Sequence, residues 1–187
     1  MKKIILLLLL LPAVLMAQED RVYKSLGEIR NPDDVYILRL NYKRLRAIPE
    51  KVFTLGNLRE LDLGKNSIDS IPADIAKLKD LRILDLSRNH LRTIPPELGQ
   101  LTQLRELDLS RNPLLELPEE MGSLVHLRKL VLWSTGIVSF PPTFVALNGS
   151  LEVIDMRVCP MTWDDQQAIE DLLPTPRKRW DYVCNCK

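Results

Sequence analysis

Hydrophobic positions recur along this chain with a period of 23 residues. The clearest copy has the pattern L-x-x-L-x-L-x-x-N-x-L from Leu81 and continues as I-P-x-x-L-x-x-L from Ile94. Equivalent segments begin at Val35, Leu58, Leu104, Leu127 and Leu151, with one extra residue before the last. A period of this length is typical of a solenoid, in which each repeat buries its apolar face against its neighbours.

The start of each repeat alternates between apolar and polar positions. Leu84 and Leu86 alternate with Asp85 and Ser87, which predicts a short strand with the leucines inside. Burial of each leucine contributes roughly 1.5–3 kcal/mol, so the alternate side chains face solvent. A proline column, which disfavours regular strand pairing, follows at Pro49, Pro72, Pro95, Pro118 and Pro141. We therefore expect an α/β solenoid, an arc of six repeats with short parallel strands on the concave face and turns or short helices on the convex face.

The turn after the strand carries an asparagine in three consecutive repeats, at Asn66, Asn89 and Asn112. A side-chain amide at this point can bond backbone groups that the turn leaves unpaired, so we predict a scaffold role. The same position is Lys43 in the first repeat, Thr135 in the fifth and Cys159 in the last.

Residues 1–17 have the pattern of a cleavable signal peptide. Lys2 and Lys3 precede an apolar run that is short for a membrane span, and Ala17 supplies a small residue before the expected cleavage site. The alternative is a retained membrane anchor. We expect export, with no stable membrane insertion after cleavage.

The repeats occupy residues 35–158. The segments on both sides of them have features of solenoid caps. Residues 18–34 place Val22, Tyr23, Leu26 and Ile29 at helix-like spacing, which predicts an N-terminal helical cap. Residues 159–187 form the predicted C-terminal cap. There Thr162 opens a capping box for a helix to about Leu173, and residues 180–183 could add a strand beside the sixth repeat.

With these motifs the chain resembles the leucine-rich repeat superfamily, in the 23-residue L-P-x-x-L class common in bacteria. The resemblance covers residues 35–158, and the flanks resemble the caps of short exported bacterial members. It implies recognition of a macromolecular partner, mostly a protein, without naming that partner. It also implies a secreted or periplasmic location in a bacterial envelope.

Charge and composition argue against several other functions. Without residues 1–17, the chain keeps 24 of its 26 basic side chains and all 25 acidic ones, a net charge of −1. Such a chain has no long-range field to attract nucleic acid or anionic lipid. His90 and His126 occupy different repeat positions, and no catalytic triad, phosphate loop or zinc spacing is present. We predict a monomeric, non-enzymatic protein that needs no cofactor or metal.

Trp133 is the most informative residue on the predicted concave face. It stands in a column of small residues, and tryptophan, tyrosine and arginine are enriched in binding hot spots. The alternative is that Trp133 lies flat over Arg111 or Val131 by ordinary packing. The other predicted partner-binding residues are Tyr42, Arg88, Arg111, Arg157, Asp85 and Asp108.

Three aspartates, Asp62, Asp85 and Asp108, share one column of this face. Carboxylates in register suggest calcium, but no repeat carries a Gly-Asp calcium loop. Lys65, Arg88 and Arg111 lie two side chains away, so we favour a row of exposed ion pairs.

The three cysteines leave the disulfide pattern open. In an exported protein Cys159 could pair with Cys184 or Cys186, and the bridge would contribute about 2–4 kcal/mol. Alternatively, Cys159 substitutes for the repeat asparagine, or Cys184 pairs with Cys186.

These observations support one leading hypothesis, an exported protein that recognises another protein through its concave face. The alternatives are binding of a surface glycan and a regulatory or inhibitory module that acts on an enzyme.

Overall fold

A computed structural model describes residues 20–180. They contain one parallel sheet of eight short strands, which follow one another in chain order. The strands are β1 (Val22–Tyr23), β2 (Ile37–Arg39), β3 (Glu60–Asp62), β4 (Ile83–Asp85), β5 (Glu106–Asp108), β6 (Lys129–Val131), β7 (Val153–Asp155) and β8 (Arg177–Arg179). Strands β2 to β7 belong to the six repeats. The solenoid predicted from the 23-residue period is therefore confirmed.

The strands pair in register, one repeat against the next. Leu61 pairs with Leu84, Leu84 with Leu107 and Leu107 with Leu130. Successive side chains of a strand point to opposite faces, so these middle residues point into the core and are buried, whereas the first and third residues of each strand point outward. Leucines from every repeat thus form one continuous core between the sheet and the return segments.

The return segments contain short 3-10 helices. Five of them follow the proline column: Glu50–Thr54, Ala73–Lys77, Pro96–Gln100, Glu119–Ser123 and Pro142–Leu147. Each column proline occupies the N-cap with extended backbone, a conformation that its ring favours. The segments pack closely, since a Cβ on Gly99 would lie 2.2 Å from the backbone oxygen of Glu120.

The asparagine column forms a continuous hydrogen-bond ladder through the turns. Asn89, which is 4% exposed, donates from Nδ2 to the carbonyls of Leu63 (3.0 Å) and Leu86 (2.9 Å). Its Oδ1 accepts from the backbone N–H of Ile68 at 2.9 Å. The Leu86 carbonyl also accepts from Asn112 at 2.9 Å, so successive asparagines share acceptors. The predicted scaffold role is confirmed.

Each repeat leaves its strand through a residue with left-handed backbone. The six residues have φ between 54° and 57°: Tyr42, Lys65, Arg88, Arg111, Ser134 and Val158. None is glycine, so the turn carries backbone strain in every repeat. Val158 is the most strained type, because its side chain is β-branched.

The N-terminal flank differs from the prediction. Residues 20–34 contain strand β1 and two 3-10 turns, Leu26–Glu28 and Pro32–Asp34, in place of the predicted helix. Helix-like spacing was misleading here, because β2 offers an open backbone edge. Val22 and Tyr23 pair with it, and this pairing buries the Tyr23 side chain.

The C-terminal flank contains the predicted helix, α1 (Trp163–Leu172), with a complete Thr162–Asp165 capping box. A further strand, β8 (Arg177–Arg179), pairs with β7, and the backbone N–H of Arg177 donates to the Glu152 carbonyl at 2.7 Å. Most of the strand predicted at residues 180–183 lies outside the described residues. Among residues 20–180, no helix has both the length and the apolar character needed to cross a bilayer. The predicted signal peptide, residues 1–17, lies outside the described residues.

Candidate partner-binding face

The outward side chains of β2 to β7, and of the residues just after each strand, form one surface that we call the strand face. The outward positions within the strands are polar, charged or β-branched and only partly buried in most repeats. All the residues predicted for partner binding lie here: Tyr42, Asp85, Arg88, Asp108, Arg111, Trp133 and Arg157.

Trp133 is half-buried and stacks with Arg111. The guanidinium carbon of Arg111 lies 4.2 Å from the centre of the indole ring. This is the flat packing that our alternative interpretation predicted. The stack also keeps both side chains on the strand face in a defined position.

Tyr42 forms a second cation–aromatic pair, in the first two repeats of the face. The Lys65 Nζ lies 4.4 Å from the ring centre and donates a hydrogen bond to the phenolic oxygen. The ring remains 68% exposed. Since Tyr42 and Trp133 are four repeats apart, the two pairs are separated by about 19 Å at the usual strand spacing.

The aspartate column serves the turns, and the predicted row of ion pairs is wrong. Asp62, Asp85 and Asp108 each accept the backbone N–H two residues later, at 2.8–2.9 Å. Within residues 20–180, none of them forms an ion pair with Lys65, Arg88 or Arg111. The carboxylates are thus used by the backbone at the end of each strand.

Arg157 is the predicted site residue with the strongest charged contact. Its Nε and Nη2 donate to Asp155 at 2.9 and 2.8 Å, and the aspartate is only 5% exposed. A bidentate pair of this kind holds the guanidinium in one orientation.

Burial makes two members of the aspartate column costly to ionise. It raises the pKa of Asp62 and of Asp108, and the charge of Asp85 between them raises both pKa values further. The hydrogen bonds from the turn amides act in the opposite direction but do not cancel these effects.

The strand face has little depth. One recess, between Ile83, Asp85, Glu106, Asp108, Lys129 and Val131, has a volume of about 150 Å³, and a second, beside Arg111 and Ser134, is larger but wide open to solvent. Pockets for small ligands measure about 300–1,000 Å³, so this surface is better suited to a macromolecule. Among the described residues, no group of three or more His, Cys, Asp or Glu side chains could hold a metal ion.

Cys159 is buried at the asparagine position of the last repeat. Its Sγ donates to the Leu132 carbonyl at 3.3 Å and lies 3.6 Å from the Thr135 hydroxyl. Burial raises the pKa of the Cys159 thiol. Cys184 and Cys186 lie outside the described residues, so the disulfide stays a prediction.

One column escaped the sequence reasoning. The residue before the strand is arginine in four consecutive repeats, at Arg59, Arg82, Arg105 and Arg128. Alignment of the repeats at 23-residue intervals reveals this column. It lies one residue before each strand and therefore outside the outward strand positions from which the candidate residues were predicted.

Comparisons with known proteins agree with this architecture. The family model described as Leucine rich repeat matches twice, over residues 34–91 and 57–114. No curated protein sequence matches significantly.

Several solved structures are similar. The leucine-rich repeat protein LIC12759 of Leptospira interrogans is 28% identical, with a TM-score of 0.65 over 87% of this chain and 48% of its own. The internalin InlF of Listeria monocytogenes, at 22% identity and a TM-score of 0.68, matches 86% of this chain and 47% of its own, and it supports the fold alone. The ectodomain of the Arabidopsis thaliana receptor kinase GASSHO1/SCHENGEN3 is 28% identical, with a TM-score of 0.61 over 78% of this chain and 18% of its own. The chain thus spans about half or less of each of these structures.

Proposed function

We propose that this chain, which is a leucine-rich repeat protein, is exported and binds a partner protein through its strand face. Leucine-rich repeats are generally used for protein recognition, and the Arabidopsis receptor ectodomain was solved in complex with CASPARIAN STRIP INTEGRITY FACTOR 2. The signal-like pattern of residues 1–17 supports export to a secreted or periplasmic location.

The observation that carries the proposal is a pair of cation–aromatic contacts on the face, one in the first two repeats and one in the fourth and fifth. One contact joins Trp133 and Arg111, and the other joins Tyr42 and Lys65. Tryptophan, tyrosine and arginine are typical of hot spots, and each contact restricts the motion of both side chains. Less rotamer entropy is lost on binding when such side chains are already held in place. Trp133 and Tyr42 are each the single aromatic residue in their column of the six repeats.

The size of the face also fits a protein. Six strands at about 4.8 Å spacing present a surface roughly 24 Å wide, which matches one side of a small domain. The acidic column across its middle and the basic residues along its rim favour a partner with complementary charges.

A capture experiment with matched variants tests the proposal. The bait is the chain from Gln18, immobilised and incubated with envelope extract of the source organism. The test variant is Tyr42→Ala/Trp133→Ala, and the control is Trp163→Ala on helix α1, whose ring is 74% exposed. Quantitative mass spectrometry then compares the captured proteins.

We expect one protein to be captured by the wild type and the control, and at least about fivefold less by the double variant, as for hot-spot truncation. Equal capture by all three baits would refute the role of the strand face. A glycan array with the same three proteins tests the alternative, and Tyr42/Trp133-dependent glycan binding without a captured protein would replace our proposal. Export is tested separately by N-terminal sequencing of the native protein, which should begin at Gln18.

A further inference from the structure

A second charged surface runs along the amino-terminal edge of the sheet, outside the strand face. It consists of Arg59, Arg82, Arg105 and Arg128, which we call the arginine column. The corresponding residue is Tyr36 in the first repeat and Glu152 in the last. The column therefore comprises four consecutive repeats.

Backbone hydrogen bonds fix the spacing of the arginine column. The N–H of Arg82 donates to the carbonyl of Arg59, that of Arg105 to Arg82 and that of Arg128 to Arg105, each at 2.8 Å. At a strand spacing of about 4.8 Å, the four Cα atoms span about 14 Å. The guanidinium groups thus extend from a rigid and regular base.

The two ends of the column have partners within the chain. The Arg59 guanidinium carbon lies 4.7 Å from the Tyr36 ring centre, and Arg128 Nη1 lies 3.6 Å from Glu152 Oε1. In the part of the chain that the structure describes, the central pair, Arg82 and Arg105, forms no ion pair.

The acidic side chains close to this central pair in sequence or in strand register do not neutralise it. Glu60 is held by Arg39 at 2.8 Å, and Glu106 by Lys129 at 3.3 Å. Asp80 precedes Arg82 by two residues but forms no ion pair among the described residues. Two exposed guanidinium groups on adjacent repeats therefore keep their charge available.

A groove of about 440 Å³ opens beside the column. Its lining includes Arg105 and Arg128 together with Gln103, His126, Ser150 and the single acidic residue Glu152, which is paired with Arg128. Gln103, His126 and Ser150 add hydrogen-bond donors next to the two arginines, so an anionic ligand would find both charge and room at this edge.

We propose that the arginine column binds an acidic protein segment in extended conformation. An extended chain advances about 3.3 Å per residue, so about four or five residues cover the column. Carboxylates fit the geometry because a guanidinium binds them through two parallel hydrogen bonds, and all four residues are arginine. Single exposed ion pairs are weak, so the segment needs several acidic residues to use the whole row. This site goes beyond the strand face and is independent of it.

Fluorescence anisotropy with a labelled oligo-glutamate peptide tests the proposal directly, with oligo-glutamine of equal length as the neutral probe. The test variant is Arg82→Gln/Arg105→Gln. The control, Arg46→Gln/Arg92→Gln, removes the same charge from exposed arginines outside the column. Circular dichroism melts verify that the variants are folded, and Arg105→Gln alone serves if the double variant is not.

We expect the wild type and the control to bind oligo-glutamate only, with affinity that falls as salt is added. The double variant should bind about fivefold more weakly, and Asp80→Asn should bind more tightly than the wild type. Equal binding by wild type and double variant, or no binding by the wild type, overturns the proposal. Binding of heparin through the column without binding of oligo-glutamate would overturn it too, in favour of a sulfated glycan.

Discussion

Removal of the central asparagine of the turn ladder should destabilise the protein severely. In Asn89→Ala the buried N–H of Ile68 loses its acceptor, and the carbonyls of Leu63 and Leu86 each lose one of two donors. An orphaned buried donor costs about 1–3 kcal/mol and each lost neutral hydrogen bond about 1 kcal/mol. We therefore expect the free energy of unfolding, measured by urea denaturation, to fall by about 3–5 kcal/mol.

A matched control and a double-mutant cycle sharpen the test. Asn57 makes one exposed bond, to the Asp33 carbonyl at 2.8 Å, so Asn57→Ala should cost no more than about 1 kcal/mol. Asn66 is the other donor to the Leu63 carbonyl, at 2.8 Å. Asn66→Ala combined with Asn89→Ala leaves that carbonyl without either donor, so the combined loss should exceed the sum of the single losses by about 1 kcal/mol. If Asn89→Ala costs no more than Asn57→Ala, the ladder does not stabilise the fold as argued.

Three further predictions follow from the turns, the return segments and the aspartate column. Val158→Gly relieves the left-handed strain of a β-branched residue, so thermal melting should show a gain of up to about 1 kcal/mol, and a loss would contradict the strain argument. Gly99→Ala should lower the free energy of unfolding in urea by at least about 1–3 kcal/mol, because the new Cβ meets the Glu120 backbone. Gly56→Ala has open space around it and should be nearly neutral, and equal losses for the two variants would refute this. The raised pKa of Asp108 means that its ionised form opposes folding above that pKa, so Asp108→Asn should be more stable than wild type at about pH 7. This advantage should shrink as the pH falls through the raised pKa and be lost by about pH 4, and a gain independent of pH would refute the assignment.

The core and the turns could be predicted because local pattern and tertiary structure agree there. Alternating leucines such as Leu84 and Leu86 have few other ways to leave water, and the period of 23 residues brings each repeat onto the next. The asparagine ladder followed from the unpaired backbone of a turn, and the Thr162 capping box indicated where α1 begins. Each of these signals depends on residues close together in the chain or on one repeated spacing.

The candidate site was predicted only in part, because the contacts between its side chains depend on how neighbouring repeats stack. The sequence placed Trp133 and Arg111 on the same face, but their stack depends on the left-handed turn that positions Arg111. Asp108 accepts the backbone N–H of Ser110, and the expected ion pairs do not form.

What the sequence determined by itself was the repeat, its buried residues and the class of fold, because hydrophobic burial and period act everywhere along the chain. Tertiary structure alone decided the rest. Val22 and Tyr23 form a strand on the open edge of β2, although their spacing is helix-like. The parallel register of the repeats places Arg82 and Arg105 side by side. Contacts between repeats decide such features, since no single repeat contains both partners.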